Sequence, residues 1–476
     1  MNERPDTVLM NSPFTGLQSI REVYFIGIGG IGMSAVARYF HAHGVKVSGY
    51  DKTSTPLTQE LENDGMHVHY EEQVDSVPAN PDLVVYTPAI PETHAELQWY
   101  RGQGKQVVKR SDVLQIISAG SFNLCVAGTH GKTTISTMLA HLLRDSGFGC
   151  NAFLGGISVN YGTNFWSDTK NVCVIEADEY DRSFLKLSPD VAIITAMDAD
   201  HLDIYGTAAD VEQAFIDFSS KVRAGGLLIR HFGLTRGKEL KADNVWTYSL
   251  QNESADVYAE NLRMDHGGYV FDVKLPSGRI PQVQLNMGGM HNVENALAAI
   301  AAASSLNIEA ERIRQAVASF RGVKRRFEYQ VKTQNIIYID DYAHHPEELQ
   351  ALLKGARTLF RETKCTVLFQ PHLYSRTNDF ASGFAAALDM ADEVILLPIY
   401  PARELPVEGV TSAMIAKKMQ RAKVTVMDRQ AFLDWMDNDY VKTAGREYGS
   451  LFITAGAGDI NTLVPVIKKK LEMVNL

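Results

Sequence analysis

Gly128 and Gly131, followed at once by Lys132, Thr133 and Thr134, have the residue types and spacing to do chemistry on phosphate. Glycines let backbone N–H groups converge on an anion. A lysine adds a mobile positive charge, and a hydroxyl beside it can ligate the divalent ion that travels with a nucleotide. Only Thr129 and His130 separate the two glycines, where the general phosphate-loop pattern has four residues. A glycine turn capping an ordinary helix is the alternative, and it gives no reason for a lysine and two threonines in this register.

Two elements must aim that turn. The apolar run Phe122 to Ala127 reads as a short buried strand, and Thr133 to Leu143 as a helix whose first turn faces the mouth. Further on, Val172 to Ile175 run into EADEYD and Val191 to Ala196 into MDADHLD. Ligands of an open α/β sheet sit at the carboxyl ends of its strands. Glu176, Asp178, Asp198, Asp200, His201 and Asp203 are therefore expected to gather beside Lys132 and Thr133, where carboxylate and imidazole could hold magnesium against phosphates. Solvated loop acids are the other reading, which Asp178, Asp181 and Asp203 suit equally. From Leu227 to Met290, short alternating segments such as VWTYSL and GYVFDVKL predict antiparallel strands, and HNVENALAAIAAASSLNI predicts a helix.

The chain before the cradle carries a second glycine turn. Val23 to Ile26 form a strand and Gly27, Gly29, Gly30 and Gly32 a turn. Met33 to His43 form a helix, and Val45 to Gly49 a strand leading to Asp51. This is a dinucleotide-type fingerprint, with an acid spaced for a ribose contact. The same turn holds any pyrophosphate, so an NAD-dependent oxidoreductase and a UDP-sugar site both remain open. Strands at Leu83 to Tyr86 and Gln106 to Lys109 continue a parallel sheet that ends near Ala119. A third segment starts near GVKRRFE. Its strands at Ile336 to Ile339, Thr366 to Phe369, Glu393 to Leu397, Lys423 to Val426 and Ser450 to Thr454 predict a second doubly wound unit. Polar clusters follow those strands: DDYAHHP, QPHLYSRT and TAGAGD.

Composition excludes several classes. The 476 residues are 45% hydrophobic and 21% charged, which fits a soluble α/β protein of about three domains. No stretch is apolar enough to span a membrane, and the acidic, polar start of the chain reads as a loose extension (1–20) rather than an export signal. Cys125, Cys150, Cys173 and Cys365 lie far apart, so neither a zinc site nor a disulfide framework is expected, and a cytoplasmic location fits. A net charge of -10 without a basic tract argues against nucleic acid.

In this order over nearly the whole chain, GIGGIGMS, GTHGKTT, EADEYD, DHLD, HNVENA, KRRFE and DDYAHHP resemble the Mur ligase family. The resemblance implies a Rossmann-like UDP-binding domain at 1–119 and a P-loop ATPase-type α/β domain with antiparallel strands at 120–322. A Rossmann-like domain at 323–476 would close over ATP and the amino acid. It implies ATP and Mg2+, with UDP-N-acetylmuramate and L-alanine as the substrates joined. A family member that adds a tripeptide to the same sugar is the nearest alternative, and a nucleotide-binding switch without catalysis a more distant one. Catalysis would fall to Lys132, His201, Arg326 and His344. ATP would meet Gly128, Thr129, His130, Gly131, Lys132, Thr133 and Thr134, with His291, Asn292 and Asn295 on the adenine side. Arg326 would reach the γ-phosphate, and Asp341 the ribose and metal. Gly29, Gly30, Gly32, Asp51 and Arg110 would hold the UDP sugar. Tyr342, His344 and Arg376 would flank the amino acid, and Thr133, Glu176 and His201 the metal. A monomer or weak homodimer is expected. The chain departs from its relatives at Leu373, at TPAI (Thr87 to Ile90), and in lacking a lysine between the DH motif and Lys221.

Overall fold

The computed structural model describes residues 19–199, 202–402, 404–445 and 449–474, with the backbone alone at 202 and 203. Three sheets organise it, one in each successive stretch of chain.

The first sheet has the order β3-β2-β1-β4-β5, from β1 (Glu22–Ile26), β2 (Lys46–Tyr50), β3 (His67–His69), β4 (Leu83–Tyr86) and β5 (Val107–Lys109). All its pairings are parallel. Valine, isoleucine and aromatic side chains dominate these strands because branched and ring side chains fit a pleated surface covered on both faces. The helix Ile31–Ala42 crosses from β1 to β2, and Thr55 opens the helix Pro56–Asn63 with a capping box closed by Thr58.

Ten strands form the central sheet: β6 (Phe122–Ala127), β7 (Asn151–Phe153), β8 (Phe165–Trp166), β9 (Val172–Glu176), β10 (Val191–Ile194), β11 (Leu227–His231), β12 (Asn244–Ser249), β13 (Val257–Asp265), β14 (Gly268–Leu275) and β15 (Gly278–Leu285). Their order is β15-β14-β13-β12-β11-β10-β6-β9-β7-β8. The antiparallel expectation for Leu227 to Met290 needs correction. β11, β12 and β13 each pair parallel with the preceding strand, and only β13, β14 and β15 run antiparallel. Alternation in VWTYSL reports a strand with one wetter face, which is compatible with either direction. The helix Met290–Ser305 carries buried Ala298, Ala299, Ala301, Ala302 and Ala303, small enough for close approach to the helix Lys132–Asp145 in the same core.

The third sheet has the order β16-β17-β21-β18-β19-β20, from β16 (Glu328–Lys332), β17 (Ile336–Asp341), β18 (Lys364–Phe369), β19 (Glu393–Leu396), β20 (Lys423–Val426) and β21 (Ser450–Ala455). β16 is antiparallel to β17, and the other pairings are parallel.

One apolar core runs without interruption from the first sheet into the central one. It joins Phe25, Val36 and Phe40 to Phe153, Phe165, Ile175 and Phe215. Each such fully buried side chain contributes about 1.5–3 kcal/mol. At this seam Arg38, nearly buried, donates to Asn164 Oδ1 (2.5 Å) and to Glu60 (3.1 Å). The Asn164 amide donates in turn to Ile31 O (2.6 Å) and Ser34 Oγ (3.0 Å). The third sheet is reached by a strap. Lys324 N donates to Ile157 O (2.9 Å), Val159 N to Gly322 O (3.0 Å), and Ser158 bridges Val323.

Candidate active site

β6 ends at Ala127 and the helix begins at Lys132, so four residues make the turn. Gly128 has φ +126°, and a Cβ there would lie 2.8 Å from Thr195 N and 2.9 Å from Ala196 N. Gly131 has φ +78° and caps the helix, and a Cβ on it would sit 2.6 Å from Asn295 Oδ1. Both positions need glycine, for conformation and for space. Thr129 N donates to Ala196 O (3.2 Å), and Thr195 Oγ1 to His130 O (2.5 Å). The loop is therefore braced from the β10 end, while the opening turn of the helix, with its positive dipole end, faces the mouth.

Lys132 Nζ donates to Gly128 O (2.8 Å) and to Glu179 Oε1 (2.8 Å). Glu179 lies inside the EADEYD motif but was not singled out from sequence. Burial pushes its pKa up and Lys132 pulls it back. Thr133 Oγ1 donates to Glu176 Oε1 (2.9 Å), and Gly155 N (2.8 Å) and Ser136 Oγ (3.4 Å) donate to Glu176 Oε2. Gly155 and Gly156 were also missed. Cβ atoms on them would collide with the Glu176 carboxylate and, at 2.7 Å, with Thr133 Cγ2 and the strap residue Val323. A glycine pair just after a strand was the available signal for this close approach.

The other acids scatter. Asp178 accepts from Tyr180 N in its own loop (3.1 Å), Asp181 lies 3.9 Å from Lys109, and exposed Asp198 lies 3.5 Å from His130. His201, Asp200 and the Asp203 side chain lie outside the described residues. Among the described residues no group of three or more His, Cys, Asp or Glu could hold a metal.

On the far wall, Asn292 is buried and donates to Gly288 O (2.7 Å), and Asn295 donates to Asn292 Oδ1 (3.1 Å). His291 is reachable by solvent yet set in a cleft, and loss of surrounding water lowers its pKa. From the third sheet, Asp341 accepts from Phe327 N (2.6 Å) and Ala343 N (2.7 Å), tying the KRRFE turn to DDYAHHP. One lone pair on each oxygen is thus engaged. Burial raises the Asp341 pKa against the field of Arg326. The guanidinium carbons of Arg325 and Arg326 lie 5.1 and 5.7 Å from the Tyr342 ring centre. His344 Nδ1 lies 2.9 Å from Tyr342 O and 3.2 Å from Glu348, and its ring edge meets His372. Burial lowers the His344 pKa, Glu348 opposes, and Arg376 and Arg326 assist. Tyr342, His344, Arg326 and Arg376 therefore form one neighbourhood.

In the first glycine turn, Gly27 N and Ile28 N donate to Tyr50 O (2.8 and 2.9 Å), and Gly30 N to Gly27 O (3.2 Å). Asp51 Oδ2 accepts from Gly29 N (2.8 Å). These N–H groups are satisfied within the protein, so the opening turn of the helix at Ile31 and Gly32 remains to face an anion. Arg110 stands beside it, with Nη1 2.8 Å from the point a Gly32 Cβ would occupy.

Three family models match the chain: the Mur ligase family catalytic domain over residues 22–121, the Mur ligase middle domain over 126–303, and the Mur ligase glutamate ligase domain over 325–458. A UDP-N-acetylmuramate–L-alanine ligase of Flavobacterium johnsoniae is 46% identical over 460 residues, which cover 96% of this chain and 99% of that protein. One from Porphyromonas gingivalis is 45% identical, covering 95% and 99%. The solved UDP-N-acetylmuramate-alanine ligase of Thermotoga maritima superposes with a TM-score of 0.79 at 29% identity, covering 95% of this chain and 98% of that one. A murein peptide ligase from Psychrobacter arcticus shares the fold, with a TM-score of 0.65 at 23% identity and coverage of 95% and 98%.

Proposed function

Since the chain belongs to the Mur ligase family, we propose that it joins L-alanine to UDP-N-acetylmuramate with hydrolysis of ATP to ADP and phosphate. The observation that carries this reading is the alignment with the alanine ligase of Flavobacterium johnsoniae along nearly the full length of both chains.

A carboxylate is a poor acceptor for an amine. Attack of one of its oxygens on the γ-phosphorus of ATP gives an acyl phosphate and releases ADP. The alanine amine then adds to the acyl carbon, and the tetrahedral intermediate expels phosphate and loses a proton to give the amide. Lys132 and the helix start behind Gly131 stabilise the charge on the transferred group, with Arg326 arriving from the third sheet. Thr133 and Glu176 offer hard oxygen donors 2.9 Å apart, which fits magnesium. An ion held there would neutralise phosphoryl charge, and His201 is the third donor we assign. We place the adenine against His291, Asn292 and Asn295, and the ribose against Asp341. Neutral His344, with Tyr342 and Arg376, receives the amino acid. Gly29, Gly30, Gly32, Asp51 and Arg110 line the UDP sugar.

We read residues 1–119 as a Rossmann-like UDP-binding domain, 120–322 as a P-loop ATPase-type domain, and 323–476 as a Rossmann-like domain that closes on the site. The parallel β3-β2-β1-β4-β5 order supports the first assignment, and the strand, tight turn and helix around Lys132 support the second. We further assign a cytoplasmic location, which four buried free thiols suit, and a monomer or weak homodimer. No helix among the described residues is long and apolar enough to cross a membrane.

Phosphate release tests the reading: it should require ATP, UDP-N-acetylmuramate and L-alanine together. Release with a tripeptide and none with alanine would move the chain to the murein peptide ligases. Tight NADH binding without a response to the nucleotide sugar would overturn the ligase reading altogether.

A further inference from the structure

We propose that Glu179 is a positioning residue for phosphoryl transfer, one that fixes the Lys132 ammonium over the phosphate cradle; this rests on the ligase reading above.

The geometry is that of a fixed counter-ion. Both carboxylate oxygens lie against Lys132 Nζ, at 2.8 and 2.7 Å, and the Glu179 side chain is 1% exposed against 14% for Lys132. Glu179 therefore sits behind the lysine, out of reach of a ligand entering from solvent. Its main chain is fixed as well. Tyr205 Oη (2.6 Å) and Arg182 N (2.9 Å) both donate to Glu179 O, and the chain then turns through left-handed Asp181 (φ 52°) and Arg182 (φ 61°). Arg182 in turn lies over the Tyr205 ring, 4.9 Å from its centre. Glu176, three residues earlier at the end of β9, has separate partners in Thr133, Ser136 and Gly155, so the two carboxylates do different work.

An ammonium has three N–H donors. Gly128 O takes one and Glu179 another, which leaves the third for a phosphate oxygen. Moving Lys132 wholly onto the nucleotide would strand a buried carboxylate without its counter-ion, a heavily penalised state. Lys132 accordingly keeps its bond to Glu179 while it contacts phosphate, and its long, otherwise mobile side chain enters the reaction already oriented.

Glu179→Gln keeps the shape and removes the charge. With turnover normalised to the fraction that binds ADP in calorimetry, kcat should fall at least ~tenfold while KM for ATP changes less than ~threefold. Glu179 acts through Lys132, so Lys132→Ala/Glu179→Gln should be no slower than Lys132→Ala alone. The double variant should also melt higher than that single one, because the stranded carboxylate is gone. Wild-type kcat in Glu179→Gln, or losses that multiply in the double variant, would overturn the assignment. Wild-type protein that releases no phosphate with all three substrates would instead refute the ligase reading.

Discussion

Gly155→Ala is a small change aimed at one carboxylate. The Gly155 backbone does not lie in the left-handed region, so alanine is conformationally acceptable, and the cost is local. The added Cβ would fall inside van der Waals contact with Cδ and both oxygens of Glu176, so the carboxylate must retreat by roughly an ångström to restore an ordinary contact. Retreat breaks or stretches its bonds to Gly155 N (2.8 Å) and Thr133 Oγ1 (2.9 Å). Charge-assisted bonds of this kind contribute about 1.5–3 kcal/mol each, and misplacing a reacting group by this distance costs about a hundredfold in rate. Steady-state phosphate release across a magnesium titration should therefore show kcat down by about that factor and half-saturation moved to higher magnesium, and the lost bonds should lower the melting temperature as well. Normal kcat with an unaltered magnesium requirement would mean that Glu176 has no part in holding the ion.

Three further outcomes are expected. Lys132→Ala should lower turnover at least about a hundredfold if, as proposed, its charge acts on the phosphoryl oxygens as they are transferred, and a variant retaining most of its rate would remove the cradle from the mechanism. Gly30 is exposed and a Cβ there meets nothing in the protein closer than 3.5 Å, so Gly30→Val should fold normally, weaken UDP-N-acetylmuramate at least ~tenfold and leave ADP affinity alone, as calorimetry can check. His344 should titrate below its ordinary value of about 6.5, because burial and the fields of Arg376 and Arg326 outweigh Glu348. Ring-nitrogen NMR, with the resonance identified by its loss in His344→Gln, would refute this if the midpoint fell at or above that value.

The strand, tight turn and helix start around Lys132 were legible because glycine, lysine and hydroxyl at fixed spacing carry a local geometry, and strands such as Phe122 to Ala127 because they are continuously apolar. What one residue does to another across the fold was not. Glu179 stands in the same motif as Glu176, yet one pairs with Lys132 and the other with Thr133, a division set by how the chain turns after β9. Gly155 gains its meaning only once that loop presses on Glu176. Asp51, spaced for a ribose, spends one oxygen on Gly29 N, and the direction of β12 depends on a neighbour chosen by the topology rather than by its own alternation.

The seam around Arg38 and Asn164 has a consequence for how the chain comes apart. With a single core continuous across the first two sheets and polar groups sealed between them, neither half can lose its order without baring the apolar face of the other. Residues Glu22 to Phe320 should melt as one cooperative block. The third sheet has cores of its own, but more than the strap holds it to that block: Tyr329 Oη donates to Gly267 O (2.5 Å), and Leu359 packs against the central core. Cleavage after Ala119 would then cost both halves their solubility, whereas after cleavage in the strap the third sheet would still be docked through Tyr329 and Leu359.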